Sequence, residues 1–269
     1  MGVRLYFRKV GDGPPLVLMH GLYGASDNWL TIAGKLSENY TVYALDLRNH
    51  GHSPHHPDHS YRSMVEDLAL FFGEHHLQPA VMMGHSMGGK VAMLFAADYP
   101  EKVKKLIVVD IAPKNYLLTG DDSHYFYHRN ILLAMMEFNF SAVRSRRQVE
   151  ERLTEKIDDE RVIRFLLKNV KGDQATKTLS WRLNPKALYN NLEEIVEGVN
   201  PRWFDGRIPI LAYPVIFIRG LNSSYIGEDD IPEIRKIYPE ARIVEIPGAG
   251  HWLHAEQPGL FLGAVTSCC

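Results

Sequence analysis

The chain has 269 residues, room for one or two domains, and its 45% hydrophobic and 23% charged residues are those of an ordinary globular protein. A formal net charge of −2 offers no basic field, which argues against nucleic acid and anionic membrane surfaces as partners. No apolar run approaches the roughly 20 residues that span a bilayer, and the charged opening Met1-Gly2-Val3-Arg4 does not make a signal-peptide core.

Short apolar runs alternate with helical spacing through the first 110 residues. The runs at 16–20, 41–46, 80–84 and 106–110 read as strands buried on both faces. Those at 27–36, 63–72 and 87–98 read as helices, and the alternation predicts a mostly parallel sheet flanked by helices. From Asn115 to Val199 no strand is expected. Short amphipathic helices are expected there at 132–138, 148–156, 161–168 and 185–196. The strand pattern resumes at 214–218 and 241–246. The expected architecture is α/β, with a discontinuous core of residues 1–113 and 205–269 and an inserted helical cap of residues 114–204. Cys268 and Cys269, adjacent at the end of the sequence, cannot staple a fold, so a reducing and therefore cytoplasmic setting is expected.

Gly84-His85-Ser86-Met87-Gly88 lies between a predicted strand and a predicted helix. Such a turn needs glycines for close backbone approach and presents the serine hydroxyl at a helix N-terminus, as a nucleophile requires. The overlapping Gly84-x-x-x-x-Gly89-Lys90 starts like a phosphate loop, but Val91 stands where a magnesium-binding Ser or Thr belongs. His20-Gly21-Leu22-Tyr23-Gly24 follows the first predicted strand. The N–H groups of Leu22 and Met87 are the expected oxyanion donors.

His251, in Gly248-Ala249-Gly250-His251-Trp252 after the last predicted strand, is the candidate base. Its acid partner is less obvious. The loop after residues 214–218 reads Arg219-Gly220-Leu221-Asn222-Ser223-Ser224-Tyr225, with no carboxylate. Glu228, Asp229 and Asp230 follow at what looks like a helix start, where acidic residues favour the dipole. Asp110, at the end of the strand Leu106-Ile107-Val108-Val109, is the preferred acid, with the carboxylates at 228–230 as the alternative. Ser223 would then hydrogen-bond within the triad. Tyr116, Tyr125, Phe126, Phe138, Trp181, Tyr189 and Trp252 are candidates for an apolar substrate pocket. The histidines from Asn49 to His59 sit in a Gly- and Pro-rich loop without the spacing of a metal framework. No metal and no cofactor are expected.

These motifs, with Asp46-Leu47-Arg48-Asn49-His50-Gly51-His52-Ser53, Val109-Asp110-Ile111-Ala112-Pro113 and Gly250-His251-Trp252-Leu253-His254-Ala255-Glu256, give the chain a family likeness. It resembles the YbfF-type acyl-ester and thioester hydrolases and their mitochondrial relatives in the α/β-hydrolase superfamily. Likeness in the cap is weaker and rests mainly on Trp181-Arg182-Leu183-Asn184. The resemblance implies a triad of Ser86, Asp110 and His251 with Ser223 as auxiliary partner, and Asp46 and Arg48 as shapers of the loop around the site. It implies small-molecule carboxylic esters or acyl thioesters as substrates. Lactonases, perhydrolases and carbon–carbon bond hydrolases share this triad, and a ligand-binding sensor of the same fold is the alternative from another class.

Overall fold

The computed structural model describes residues 2–117 and 123–267; Cys268 and Cys269, on which the redox expectation rests, lie outside them. In the first half, β1 (Phe7–Val10), β2 (Pro15–Met19), α1 (Leu30–Leu36), β3 (Thr41–Leu45), α2 (Tyr61–Glu74), β4 (Ala80–His85), α3 (Met87–Asp98) and β5 (Val103–Val109) follow one another. Helix α2 begins where the Ser60 hydroxyl accepts the Ser63 N–H at 3.2 Å, an N-cap that satisfies one orphan donor.

Between β5 and the next strand of the main sheet come α4 (Ser123–Met136), α5 (Arg146–Leu153), α6 (Glu160–Leu167), β6 (Val170–Gly172), β7 (Leu179–Trp181), α7 (Pro185–Asn190) and α8 (Leu192–Glu197). Two expectations are corrected here. The stretch held to be strandless contains the antiparallel pair β6–β7, each strand only three residues long and too short to carry an alternation. The helix expected over 185–196 breaks at Asn191, whose amide donates to Pro57 O at 2.9 Å and Ala187 O at 2.8 Å. A side chain that bonds to the backbone in this way competes with helix continuation.

The chain then returns through β8 (Val215–Gly220), α9 (Asp230–Ile237), β9 (Arg242–Ile246), α10 (Leu253–Glu256) and α11 (Pro258–Thr266). Among the described residues the main sheet has seven strands in the order β1-β3-β2-β4-β5-β8-β9. All neighbours pair in parallel except β1, which runs antiparallel to β3 at the edge.

Side chains on successive strand positions point to opposite faces, so the sheet separates two cores. Val17, Met82, Val108 and Phe217 pack with α2 and α3 through Leu68, Phe72, Val91 and Phe95. Leu18, Met83, Val109 and Ile218 pack on the other face with Ile32 and Leu36 of α1 and Phe261 and Val265 of α11. Burial on both faces explains why these strands read as continuous apolar runs.

The strand order reverses at β2. From β2 the chain moves to β3 on one side, then returns to lay β4 on the other. In an open parallel sheet the crevice beyond the strand C-termini at such a switch point is where ligands bind. The loops after β2 and β4 flank it here.

Candidate active site

Ser86 links β4 directly to α3 with φ 53° and ψ −119°, a conformation L-residues rarely adopt. The turn closes only because Gly84 and Gly88 touch: a Cβ on Gly84 would lie inside the Gly88 backbone. Met87 is the first residue of α3, so its N–H has no intrahelical acceptor and is available to a developing negative charge. The loop after β2 presses against this turn. A Cβ on Gly21 would stand 2.8 Å from His85 Nδ1 and 3.1 Å from Ser86 Cβ. Leu22 follows at once and shares a cavity wall with Ser86 and Met87.

Asp110 is the residue after β5 and is wholly buried, with φ 52°. Its N–H extends the ladder to Ile218 O at 2.8 Å, and the positive φ then turns the chain out of the sheet. Among the described residues its carboxylate has three partners. Oδ1 accepts the Gly220 N–H at 3.0 Å, and Oδ2 accepts the Ser223 hydroxyl and the His251 Nδ1–H, the latter at 2.8 Å. The residues after β5, β8 and β9 therefore meet at one carboxylate. An imidazole that donates through Nδ1 presents a bare Nε2, the form a general base needs. Of the alternative carboxylates, Glu228 pairs with Arg219, and Asp230 holds Lys114 at 2.7 Å in the first turn of α9.

His251 is further fixed from its own loop and from its ring face. Its carbonyl accepts the His85 Nε2–H at 2.8 Å, and Glu256 accepts the Gly250 N–H at 2.5 Å. The Tyr225 ring stacks on the imidazole with centroids 3.8 Å apart and planes 19° from parallel. Burial holds the His85 pKa well below the ordinary histidine value, and the neighbouring His251 and His254 push it the same way. His128, also enclosed, is drawn down to about 3 by burial and by the nearby His124 and His251. Both imidazoles are therefore neutral at pH 7.

The histidine-rich loop has structural bonds. His50 donates through Nδ1 to Arg48 O at 2.9 Å and accepts the Tyr23 N–H at 3.3 Å. Arg48 forks onto buried Asp67 with bonds of 2.6 and 2.7 Å. Asp46 accepts the N–H groups of Ser26 and His52 at 2.6 and 2.8 Å, which fixes the loops beside the site.

Two cavities meet at Ser86. The larger, about 440 Å³, has His251, Trp252, Ile131, Val162 and Phe165 in its wall; the smaller, about 30 Å³, has Met87, Lys90, Tyr116, Ile195 and Val196. Leu22, Ser86, His128 and Tyr225 belong to both. The aromatic expectations divide accordingly. Tyr116 and Trp252 reach the walls, whereas Tyr125, Phe126, Trp181, Tyr189 and Phe138 do not.

Helix α4 presents His124, Tyr127, His128 and Ile131 to the cavities, a spacing that leaves Tyr125 and Phe126 on other faces, with Phe126 51% exposed. The Trp181 indole donates to Met135 O at 3.0 Å and its ring packs on Phe138 and Phe140. Tyr189 packs against the larger core. The i, i+3, i+4, i+7 spacing of residues 124–131 was the available signal for the wall that sequence reading missed.

A family model for the alpha/beta hydrolase fold matches residues 14–127. The sn-1-specific diacylglycerol lipase ABHD11 of Danio rerio is 35% identical over 264 residues, 97% of this chain and 80% of that protein. Esterase YbfF of Escherichia coli K12 is 35% identical over 94% of this chain and 92% of its own length. The chain belongs to the α/β-hydrolase family. A marine microorganism esterase of known structure superposes on this hydrolase with a TM-score of 0.92 at 42% identity, over 98% of this chain and 99% of that one. The hydrolase is accordingly an enzyme of the carboxylesterase type. Among its described residues no helix is long and apolar enough to cross a membrane.

Proposed function

We propose that this hydrolase cleaves carboxylic esters through an acyl-enzyme on Ser86, with His251 as base and Asp110 as the acid that orients it. The observation that carries the reading is the His251 Nδ1–Asp110 Oδ2 bond of 2.8 Å, in a chain whose strained serine turn opens on the same cavity as His251. His251 takes the Ser86 proton as Oγ attacks the ester carbonyl, forming the C–O bond of a tetrahedral intermediate. The N–H groups of Leu22 and Met87 hold the oxyanion. Collapse breaks the bond to the alcohol, which leaves with the proton from His251. Water, deprotonated by His251, then attacks the acyl-serine; the carboxylic acid departs and Ser86 recovers its proton. Ser223 donates to Asp110 and so shares in holding the carboxylate without carrying charge. Acyl thioesters present the same carbonyl and follow the same steps.

In this reading residues 1–113 and 205–269 form the catalytic core and residues 114–204 a cap, supported by the cavity walls that α4, α6 and α8 contribute above Ser86. Two cysteines adjacent in sequence fit a reducing, cytoplasmic setting. The test is turnover of a panel of p-nitrophenyl esters by the native protein and by Ser86→Ala. The native protein should hydrolyse them and the variant should lose all but a residual rate; equal turnover by the two would overturn the proposal.

A further inference from the structure

We propose that Asn169 is a positioning residue for the reaction: from the proposed cap it holds the backbone of Tyr23, and so aims the Leu22 N–H at the oxyanion. The role rests on the serine-esterase reading above and adds what keeps one of its oxyanion donors in place.

The loop after β2 needs such a hold. The Gly24 N–H closes a turn on Gly21 O at 2.9 Å, which makes Leu22 and Tyr23 its two central residues. Tyr23 stands there at φ 64°, in the left-handed region where a turn ordinarily places glycine or asparagine. A bulky residue keeps such a conformation only when its surroundings over-determine it. Relaxation of Tyr23 to negative φ would rotate the peptide it shares with Leu22, and Leu22 would move with it. Glycine at 21 and 24 adds no stiffness of its own.

The restraint comes from distant parts of the chain. Tyr23 is buried, and its N–H donates to His50 Nε2 at 3.3 Å. Its hydroxyl lies 3.3 Å from His128 Nδ1 and 3.4 Å from His128 O on α4. The shortest of these contacts is the one from Asn169, whose Nδ2–H donates to Tyr23 O at 2.8 Å. A carbonyl oxygen only accepts, so it fixes which end of the amide faces it. Asn169 is itself firmly mounted. It is buried at the end of α6, where its N–H donates to Leu166 O at 2.9 Å. Its carbonyl oxygen accepts the Arg182 N–H at 2.7 Å. Since Val170 pairs with Trp181, that bond carries the β6–β7 ladder one residue further and ties Asn169 into it. The short ribbon thus braces the side chain that reaches the oxyanion loop. Without the amide, Tyr23 O loses this bond and the turn can relax. A donor displaced by a fraction of an ångström then meets the oxyanion poorly.

The experiment compares the native full-length protein at pH 8 with Asn169→Leu and Asn169→Asp, replacements of nearly equal size that cannot donate to Tyr23 O. Active sites are counted by endpoint titration with a fluorophosphonate, so that misfolded protein drops out of every rate. Per labelled site, kcat for p-nitrophenyl acetate should fall about 10- to 100-fold with KM within about twofold. The Ki of an aryl trifluoromethyl ketone, which Ser86 attacks to form an oxyanion, should rise by about the same factor. The Ki of the matching trifluoromethyl carbinol, which has no carbonyl to attack, should stay within about twofold. A merely structural role would weaken both inhibitors alike or lower only the number of labelled sites. Unchanged kcat and ketone affinity per site, or equal weakening of ketone and carbinol, would overturn the role of Asn169 and leave the esterase reading standing. Loss of all labelled sites in both variants would assign Asn169 to folding alone and likewise overturn it. No labelling and no ester turnover by the native protein would overturn the esterase reading and this role with it.

Discussion

His85 donates its Nε2–H to the carbonyl oxygen of His251 at 2.8 Å, and the two rings lie 4.6 Å apart. The residue before the nucleophile thus holds the backbone of the proposed base, across an interval of 166 residues. Since His85 is neutral in its buried place, it works through position rather than charge. His85→Leu should lower kcat by about 10- to 100-fold with KM little changed, as expected when a catalytic group shifts by a fraction of an ångström. Steady-state kinetics on one p-nitrophenyl ester, with far-UV circular dichroism to check folding, would measure it. Undiminished kcat would show that the bond has no part in positioning.

Asp110 carries the charge in this account and Ser223 does not. Asp110→Asn should cost about 10⁴ in kcat, because an amide stabilises the wrong imidazole tautomer. Ser223→Ala leaves Asp110 with the bonds from Gly220 and His251 and should cost only about tenfold. Glu228→Gln and Asp229→Asn should leave kcat unaltered. A large loss at either of these, with Asp110→Asn still active, would reassign the acid.

Gly21 gives a test of the proposed oxyanion loop. An added Cβ would meet His85 Nδ1 at 2.8 Å and Ser86 Cβ at 3.1 Å, so the loop must retreat from the nucleophile. Gly21→Ala should reduce kcat by about 10²- to 10³-fold, comparable to the loss of one oxyanion donor. The denaturation midpoint should change far less than the rate. A variant with normal kcat would remove this loop from the mechanism.

Acid stability follows from buried imidazoles. Burial draws His59, His128 and His254 from an ordinary 6.5 to about 3. Between those values the unfolded chain binds protons that the folded chain does not, so stability is full above about pH 6.5 and falls as the pH is lowered. Each such group adds a slope of up to about 1.4 kcal/mol per pH unit. His254, stacked 4.6 Å from the Trp29 ring, is the simplest to replace. Urea unfolding of His254→Phe at several pH values should show a shallower decline between pH 6 and 4 than the native protein. Parallel curves would mean that His254 does not titrate in this window.

The sheet was legible because its strands are buried on both faces; Asp110 was preferred as the acid because Asn222 and Ser223 stand in a loop without a carboxylate, and its Oδ2 lies 2.8 Å from His251 Nδ1. The edge strand β1 was not. Phe7–Val10 pairs on one side only and carries Arg8 and Lys9, so it lacks the apolar run that marked the others. Between β5 and β8 the helices α5, α6 and α7 were readable from amphipathic spacing, whereas most of α4, which starts at Ser123, was not. The face each turns to the cavity was not, because that depends on packing between segments far apart in sequence. Trp181 and Phe126 looked like pocket residues by type alone. Their surroundings, an aromatic cluster and the protein surface, are tertiary facts.

The central claim is a covalent acyl-serine at residue 86. It is tested most directly by mixing the protein with p-nitrophenyl acetate, quenching in acid within milliseconds and mapping the peptides by mass spectrometry. One acetyl group is expected on the peptide carrying Ser86, formed with a burst of p-nitrophenol stoichiometric with enzyme and absent in Ser86→Ala. An acetyl group on another residue, or a burst that persists in Ser86→Ala, would contradict it.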